Sequence, residues 1–263
     1  MIHVTILGCG GSAGVPMIGG PDGAGDWGAC DPAEPRNRRT RASIVIERDG
    51  KRLLVDCAPE MRLQVLACRV RAIDAILFTH AHADHILGLD DVRVLNRIAD
   101  RPLEAFATAE THREIGRRFD YAVKPWTGPG FFRPVLEPRI VAPGETFDAA
   151  GIPVTVFLQD HGFGPTLGVR VGDFAYSTDA VGLDDAAFAA LSGVHTWVVG
   201  CFQRAPHRTH AHVELALSWA ARVAARRTVL THLGPDLDWR WLAENLPPGV
   251  EAAADGLRLT VPA

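Results

Sequence analysis

Three histidines and one aspartate lie within six positions in the first third of the chain, directly after a short apolar run. They are His80, His82, Asp84 and His85, in the segment Thr-His-Ala-His-Ala-Asp-His. Imidazole nitrogens and carboxylate oxygens are the ligands by which proteins hold zinc and similar divalent ions. In an extended turn, residues two apart point the same way, so His80 and His82 can chelate one ion. Asp84 and His85 can then bind a neighbouring ion. The alternative is a polar turn in which Asp84 only caps the next helix.

Three more ligand-type residues follow apolar runs that read as strands. They are His161 in Gln-Asp-His-Gly, Asp179 in Tyr-Ser-Thr-Asp, and His232 in Leu-Thr-His-Leu. Taken singly, each is more often a turn residue than a ligand. Together with the His-x-His-x-Asp-His segment they predict a site for two metal ions. Asp56 also ends an apolar run, where it is either a carboxylate that orients a ligand histidine or a turn residue.

The elements that must position these residues alternate between strands and helices. Strands are predicted over residues 2–7, 43–47, 51–56, 75–79, 152–158, 166–171, 174–177, 196–199 and 228–231. Helices are predicted over 59–68, 84–99, 184–191, 212–225 and 238–245. Asp49-Gly50 and Asp255-Gly256 have the turn chemistry of hairpins, the second within residues 252–261. This order predicts a layered α/β architecture whose sheets are covered by helices, in a single domain over residues 1–263.

Composition excludes several classes of protein. Of the 263 residues, 47% are hydrophobic and 22% are charged, which argues against coiled-coil, fibrous and disordered chains. A net charge of −4 provides no overall positive charge that would attract nucleic acid. The apolar runs are too short to span a membrane, and the first residues lack a secretory signal, so we expect a soluble cytoplasmic protein. Five cysteines without a CxxC pair suggest reduced thiols in the core.

These motifs resemble, in order, those of the metallo-β-lactamase superfamily: THAHADH at 79–85, DHG at 160–162, STD at 177–179 and TH at 231–232. The resemblance implies an αββα sandwich, in which two mixed β-sheets are flanked by helices. It implies that His80, His82 and His161 hold one ion, that Asp84, His85 and His232 hold the other, and that Asp179 bridges them. The two ions are expected to be divalent, zinc or manganese.

Other segments are similar to the phosphoribosyl cyclic phosphodiesterases of the carbon-phosphorus lyase pathway and their relatives. They include LGCGGSAGVP at 7–16, LVDCAPEMRLQ at 54–64 and RTHAHVELAL at 208–217. The resemblance implies that His210 assists catalysis at the phosphate. His212 is left as a helix cap, a solvent-exposed residue or a second phosphate contact. Only Cys30 remains in the 17–41 loop and Pro235 replaces a family histidine, so no structural zinc is expected.

The function expected from these features is hydrolysis of a small phosphodiester, with a cyclic ribose phosphate as one candidate substrate. Two adjacent ions would supply a hydroxide nucleophile, and a protonated His210 would assist the leaving oxygen. The alternatives are an RNA-processing nuclease of the same superfamily and a non-hydrolytic accessory protein in cofactor biosynthesis. No membrane partner is expected, nucleic acid is disfavoured, and a homodimer is left open.

The densest basic run of the chain lies in the 17–41 loop. It consists of Arg36, Arg38, Arg39 and Arg41. Forked guanidinium donors grip phosphate well, so one of these residues is a candidate substrate contact. A solvated loop paired with nearby carboxylates is the favoured alternative.

Overall fold

The computed structural model describes residues 1–262, along which strands and helices alternate. The first half contains β1 (Ile2–Gly8), β2 (Ser43–Arg48), β3 (Lys51–Val55), α1 (Met61–Ala67), β4 (Ala75–Leu77), α2 (Ala83–Ile86), α3 (Val92–Ala99), β5 (Leu103–Ala107), α4 (Ala109–Arg118), α5 (Asp120–Val123) and β6 (Leu136–Ile140). The second half contains β7 (Thr146–Ala149), β8 (Ile152–Asp160), β9 (Pro165–Val171), β10 (Phe174–Ser177), α6 (Asp185–Leu191), β11 (Thr196–Gly200), α7 (Val213–Val223), β12 (Arg227–Thr231), α8 (Trp239–Asn245), β13 (Val250–Ala252) and β14 (Arg258–Val261). Short 3-10 helices lie at Pro35–Asn37 and Leu87–Asp91.

The strands form two seven-stranded sheets. The first has the order β14-β1-β2-β3-β4-β5-β6, and the second has the order β13-β12-β11-β10-β9-β8-β7. Both sheets are mixed. Pairing is antiparallel from β14 to β3 and from β7 to β10, and parallel from β3 to β6 and from β10 to β13.

Apolar side chains on alternate strand positions sort into an inner layer and two outer layers, as expected for strands whose successive side chains point to opposite faces. In β2, Ile44 and Ile46 enter the cluster between the sheets, whereas Val45 joins the cluster beneath the helices of the first half. In β11, Val198 faces inward and Trp197 packs under the helices of the second half. The predicted αββα sandwich is therefore confirmed; that it forms a single domain stays a prediction.

The predicted helix over 84–99 is broken into three pieces. α2 gives way to the 3-10 helix Leu87–Asp91, and α3 follows. Gly88 lies at the break, where a Cβ would collide with the carbonyl oxygen of Ala58, so only glycine allows this close approach. Its amide donates to Cys57 O at 2.9 Å, so the segment is docked against the residues that follow β3.

The predicted hairpin over 252–261 is wrong. The turn forms, with Leu257 N donating to Ala254 O at 3.0 Å, but its two strands belong to different sheets. β13 pairs with β12, and β14 pairs with β1. The carboxylate of Asp255 accepts hydrogen bonds from Cys9 N and Thr40 N, at 2.9 and 2.8 Å, so the turn is tied to the residues that flank β1 and β2.

None of the helices within residues 1–262 combines the length and the apolar character needed to cross a bilayer.

Candidate metal centre

All seven predicted ligands lie at one edge of the sandwich, where several strands end. β3 and β4 run parallel, as do β10, β11 and β12, and β8 points the same way as β10 because two antiparallel pairings separate them. Their carboxyl ends therefore meet at one side. The loops leaving these strands carry the ligands, as follows: His80 and His82 after β4, Asp84 and His85 in α2, His161 after β8, Asp179 after β10, and His232 after β12.

His80, His82 and His161 form the first group, with ligand atoms that all lie within 4.8 Å of one another. His161 Nε2 is 3.3 Å from His82 Nδ1. His80 and His161 are buried, whereas His82 is exposed to the solvent side of the site. This group can hold one cation that stays accessible from outside.

Asp84, His85, Asp179 and His232 form the second group, again with ligand atoms within 4.8 Å of one another. Asp179 Oδ2 lies 3.1 Å from His85 Nε2, and Asp179 Oδ1 lies 3.3 Å from His232 Nε2. Oδ1 is also 3.8 Å from His161 Nε2 of the first group. Asp179 is therefore the side chain that lies between the two groups, in the position expected for a bridging carboxylate.

The ring nitrogens that face the centre are available to a cation. Nε2 of His80, His85 and His232 is buried and has no hydrogen-bond partner within residues 1–262. The opposite nitrogens of two of these rings are fixed: His80 Nδ1 lies 3.0 Å from Thr79 Oγ1, and His85 Nδ1 lies 2.7 Å from Asp56 Oδ2. Buried polar atoms without a partner are costly, so these nitrogens, one in the first group described above and two in the second, fit bound divalent ions.

Asp56 orients the ligand turn from behind. It is fully buried and receives hydrogen bonds from Thr79 N and Thr79 Oγ1, both at 2.8 Å, in addition to its contact with His85. Of the two expectations for this residue, the structure favours the carboxylate that fixes a ligand histidine. Such partners set the tautomer and ring orientation of a metal-binding imidazole.

Charges within the site shift its pKa values in opposite directions. Burial alone would raise the pKa of Asp179, but His232 and His85 hold it well below the usual aspartate range. Burial likewise opposes ionisation of Asp84, yet His85 and His232 keep its pKa low. Burial lowers the pKa of His80 well below its usual value. Two ionised carboxylates and a neutral imidazole are the protonation states in which these groups bind cations.

His85 is an exception among the imidazoles. Burial would lower its pKa, but Asp179, Asp56 and Asp84 raise it well above the usual histidine value. Three carboxylates around one ring thus favour a positive charge at this point. A divalent ion held by this group would supply that charge in place of a proton.

Three residues of the site have left-handed backbones, although none is a glycine. The φ angles are 64° for Asp56, 46° for Asp179 and 56° for His232. A non-glycine residue in this region costs of the order of 1–3 kcal/mol and persists only where the surroundings impose it. Asp56 and His232 directly follow β3 and β12, and Asp179 lies two residues after the end of β10, so the backbone turns sharply where each side chain enters the site.

His210 lies beside both groups of ligands. It precedes α7, and its Nδ1 is 3.6 Å from Asp179 Oδ1. Its ring is stacked on that of His232, with centroids 4.7 Å apart. Burial and the neighbouring His232 lower the pKa of His210 to about 3. The ring is therefore neutral at neutral pH, which argues against the expected protonated acid and leaves an imidazole N–H donor.

Sequence reasoning missed two neighbours of His210. The ring of His207 is stacked on that of His210, with centroids 5.1 Å apart. The ring of Phe202 lies 5.1 Å from both His207 and His210. No role was predicted for His207 from the sequence, and the available signal was its position three residues before His210. His212 occupies the N-cap position of α7, where within the described chain its side chain makes no capping hydrogen bond.

The expectation of a solvated arginine run is wrong for Arg39, whose side chain is only 2% exposed. Its Nη1 donates to Gly234 O at 3.1 Å, and its Nη2 donates to Leu237 O at 2.6 Å. Cys30 Sγ lies 3.4 Å from Pro235 O in the same place. A buried guanidinium thus joins the 17–41 loop to the residues that follow His232. That no structural zinc is held here stays a prediction.

Known proteins share the sequence and fold of this chain. A family model described as a β-lactamase superfamily domain matches residues 51–233. An octanoyltransferase of Porphyromonas gingivalis (strain ATCC BAA-308 / W83) is 32% identical over 264 residues, covering 99% of this chain and 52% of that protein. The chain thus spans about half the length of this relative. A ribonuclease Z of Mycobacterium sp. (strain KMS) is 31% identical over 267 residues, covering 86% of this chain and 92% of that protein.

Two solved structures resemble the whole chain. A diphosphatase from the PhnP family has a TM-score of 0.89 and 34% identity, covering 100% of this chain and 98% of that one. Zinc-bound PqqB from Methylobacterium extorquens has a TM-score of 0.78 and 21% identity, covering 98% of this chain and 100% of that one. The second likeness supports the fold alone.

Proposed function

The chain belongs to the β-lactamase superfamily, as a hydrolase with the metallo-β-lactamase fold related to the PhnP family, and we propose that it hydrolyses a small phosphodiester. The observation that carries this proposal is the position of Asp179 between two groups of ligands. Two adjacent cations suit displacement at phosphorus, because both the attacking and the leaving oxygen need charge stabilisation.

Two divalent ions would be held by the residues predicted from the sequence. His80, His82 and His161 provide one set of donors, and Asp84, His85 and His232 provide the other. Asp179, whose carboxylate lies between the two sets, would contribute to both. When bound, the ions supply an activated water and stabilise the negative charge that develops on the phosphoryl oxygens.

The protein's own residues orient and complete this centre. Asp56 holds the His85 ring through Nδ1, and the carbonyl of Thr209 holds the His161 ring, with His161 Nδ1 at 2.7 Å from the oxygen. Each contact engages Nδ1, so that Nε2 is the ring nitrogen that faces the other ligands. We assign His210 the role of a neutral donor that hydrogen-bonds to the phosphoryl group or to the leaving oxygen from beside Asp179. Its burial excludes competing water from that hydrogen bond.

A second candidate substrate class is a small molecule with a diphosphate linkage. The 34% identity with a PhnP-family diphosphatase over nearly the full length of both chains favours it. The ribonuclease Z relatives support RNA processing as an alternative.

The test is phosphodiester hydrolysis by protein loaded with manganese or zinc. We expect turnover of bis-p-nitrophenyl phosphate, and then preference for a cyclic ribose phosphodiester or a diphosphate-linked dinucleotide over a precursor transfer RNA. The Asp179→Ala variant should be inactive, while Asp185→Ala, which removes an exposed carboxylate, should be unaffected. Fully loaded protein without turnover of any of these substrates would contradict the proposal and favour an accessory role.

A further inference from the structure

A cavity of about 360 Å³ opens beside the first group of ligands. Its floor includes His80, His82 and His161. One wall is formed by helix α4 and the residue before it, and the other by the loop between β8 and β9. A volume of this size is typical of sites for small organic molecules.

Phe163 stands on the second wall, unusually exposed for an aromatic residue. Its exposed fraction is 87%, and among the large apolar residues of the described chain only Ile18 is more exposed. Leu158, at 42%, and Pro165 continue the same wall. The exposed ring of Phe163, next to the first group of ligands, offers apolar surface that a bound ligand can bury.

The loop that carries Phe163 is fixed to the site. Phe163 N donates to His161 O, and His161 N donates to Gly164 O, both at 3.0 Å. Gly162 has a φ of 83°, and a Cβ there would lie 2.6 Å from the carbonyl oxygen of Arg208, two residues before His210. The ring is therefore presented by a short turn that is anchored at a ligand histidine.

The opposite wall is polar. It presents the side chains of Thr108, Thr111, Glu114 and Arg118. Arg118 donates to the carbonyl oxygen of Ala81, between two of the ligand histidines, and to Glu114 Oε2 at 3.1 Å. The cavity thus has an apolar aromatic wall, a wall of hydrogen-bonding groups, and ligand imidazoles at its floor.

We infer that Phe163 determines substrate specificity by stacking on a planar, nucleobase-like substituent of the substrate. This inference rests on the proposed phosphoester hydrolysis, since it places the phosphate at the ligand groups and the planar substituent in the adjoining cavity. A flat heterocycle covers the ring face, and its polar edge turns toward the hydroxyl and carboxylate groups of the opposite wall.

The test compares two ribose 5-phosphate monoesters, one with a base at C1′ and one with a hydroxyl group there. Calorimetry measures the binding of adenosine 5′-monophosphate and ribose 5-phosphate to manganese-loaded protein. Since base–aromatic stacking contributes substantially, the nucleotide should bind about 5- to 150-fold more tightly to the unaltered protein. In Phe163→Ala this advantage should fall to about twofold or less, while Phe163→Trp should keep it.

The matched control is Phe132→Ala, which removes another exposed phenylalanine that does not line the cavity. It should bind both compounds like the unaltered protein. Absence of a nucleotide advantage in the unaltered protein, or an advantage that survives in Phe163→Ala, would overturn the inference. So would Phe163-dependent binding of an oligoadenylate far more tightly than the mononucleotide, which would indicate a nucleic-acid surface.

Binding and turnover separate this inference from the proposed function. Hydrolysis of bis-p-nitrophenyl phosphate without a Phe163-dependent nucleotide advantage would overturn the inference alone. A Phe163-dependent advantage in a protein that hydrolyses no phosphoester would contradict the proposed function and leave a nucleotide-binding cavity.

Discussion

Asp179 is the residue on which the arrangement of the two groups depends. Its two oxygens lie within 3.1 to 3.8 Å of His85, His232 and His161, and it is 99% buried. Two cations held a few ångströms apart in a low-dielectric site repel each other strongly unless an anion lies between them. The carboxylate supplies that anion, and the left-handed backbone places it there.

Replacement of Asp179 by alanine should therefore remove at least one ion and abolish activity. A methyl group cannot coordinate a cation or screen the repulsion between two. Elemental analysis of the purified variant gives the ion count. The control is Asp185→Ala, which removes an exposed carboxylate outside the metal centre. Full metal occupancy in Asp179→Ala would show that this carboxylate is not the bridge.

His210→Ala should keep both ions and the fold but lose turnover. A single hydrogen-bonding or proton-transfer group contributes about 10²- to 10⁴-fold to kcat. Substrates with a good leaving group, such as p-nitrophenolate, should suffer less than those that release an alkoxide. Loss of an ion from this variant would instead make His210 a ligand, a role that its proximity to His161 and Asp179 allows. Normal activity in His210→Ala and inactivity in His212→Ala would show that the wrong histidine was chosen.

Acid should destabilise the metal-free protein through His210. Its folded pKa of about 3 lies below the ordinary value near 6.5, so between these limits the unfolded chain binds the extra proton. The stability is present above pH 6.5 and is lost as the pH falls. His85 acts in the opposite direction, because its pKa is raised. Urea unfolding of chelated protein at pH 7.5 and 5.5 should show a loss about 1 kcal/mol smaller in His210→Gln than in the unaltered protein. An equal loss of stability in the two proteins would contradict a buried, neutral His210 ring.

At the scale of elements, the loop around residues 30–39 is tied to the segment that follows β12. Arg39 donates to Gly234 O and Leu237 O, and also to Asn37 Oδ1 at 3.1 Å. Leu233 N donates to Cys9 O at 2.7 Å, which fixes the residue next to His232 from the other side. One ligand of the second group thus depends on hydrogen bonds made by two distant loops.

Arg39→Met should destabilise the protein by about 2–4 kcal/mol, because it fills the space but leaves buried carbonyl oxygens without a donor. The measurement is the midpoint of urea unfolding. The control is Arg38→Met, since Arg38 is exposed and lies over the ring of Trp27. A change in Arg39→Met no larger than in the control would show that the buried guanidinium does not stabilise this junction.

The sequence was informative wherever local chemistry decides the structure. Strong apolar runs ending in histidine or aspartate placed β4, β8, β10 and β12 and the loops after them. It was uninformative between residues 100 and 150, where no element was predicted and the structure has β5, α4, α5, β6 and β7. Strand β6 there is mostly exposed and contains Pro138, so it lacks the apolar pattern that marks a buried strand.

Long-range contacts explain the remaining differences. The turn at Asp255-Gly256 has hairpin chemistry, but the pairing partners of β13 and β14 lie far away in the chain. From the sequence, Arg39 was one member of a basic loop. Its hydrogen-bond acceptors are backbone carbonyls some 200 positions away, and no local pattern reveals such partners. The predicted ligands, by contrast, could be identified from residue type and spacing, although only the structure brings them within one site.

At the scale of the whole molecule, the two groups of ligands join the two sheets. His80, His82, Asp84 and His85 follow strands of the first sheet, whereas His161, Asp179 and His232 follow strands of the second. Each group contains members from both. The cluster between the sheets likewise draws on both, with Ile44 from β2 and Val154 from β8. Bound ions should therefore stabilise the pair of sheets together.

Removal of the ions should lower the midpoint of one cooperative thermal transition, by an amount on the order of 10 °C or more. Ions that bind only the folded state stabilise it by mass action, and ligands from both sheets spread that effect over the whole sandwich. Calorimetry with and without a chelator gives the midpoints, and elemental analysis of the untreated protein should give about two ions per chain. Two separate transitions, of which only one responds to the chelator, would contradict the single-domain prediction. A count near three, with Cys30 protected from thiol reagents, would show that the 17–41 loop holds a structural metal after all.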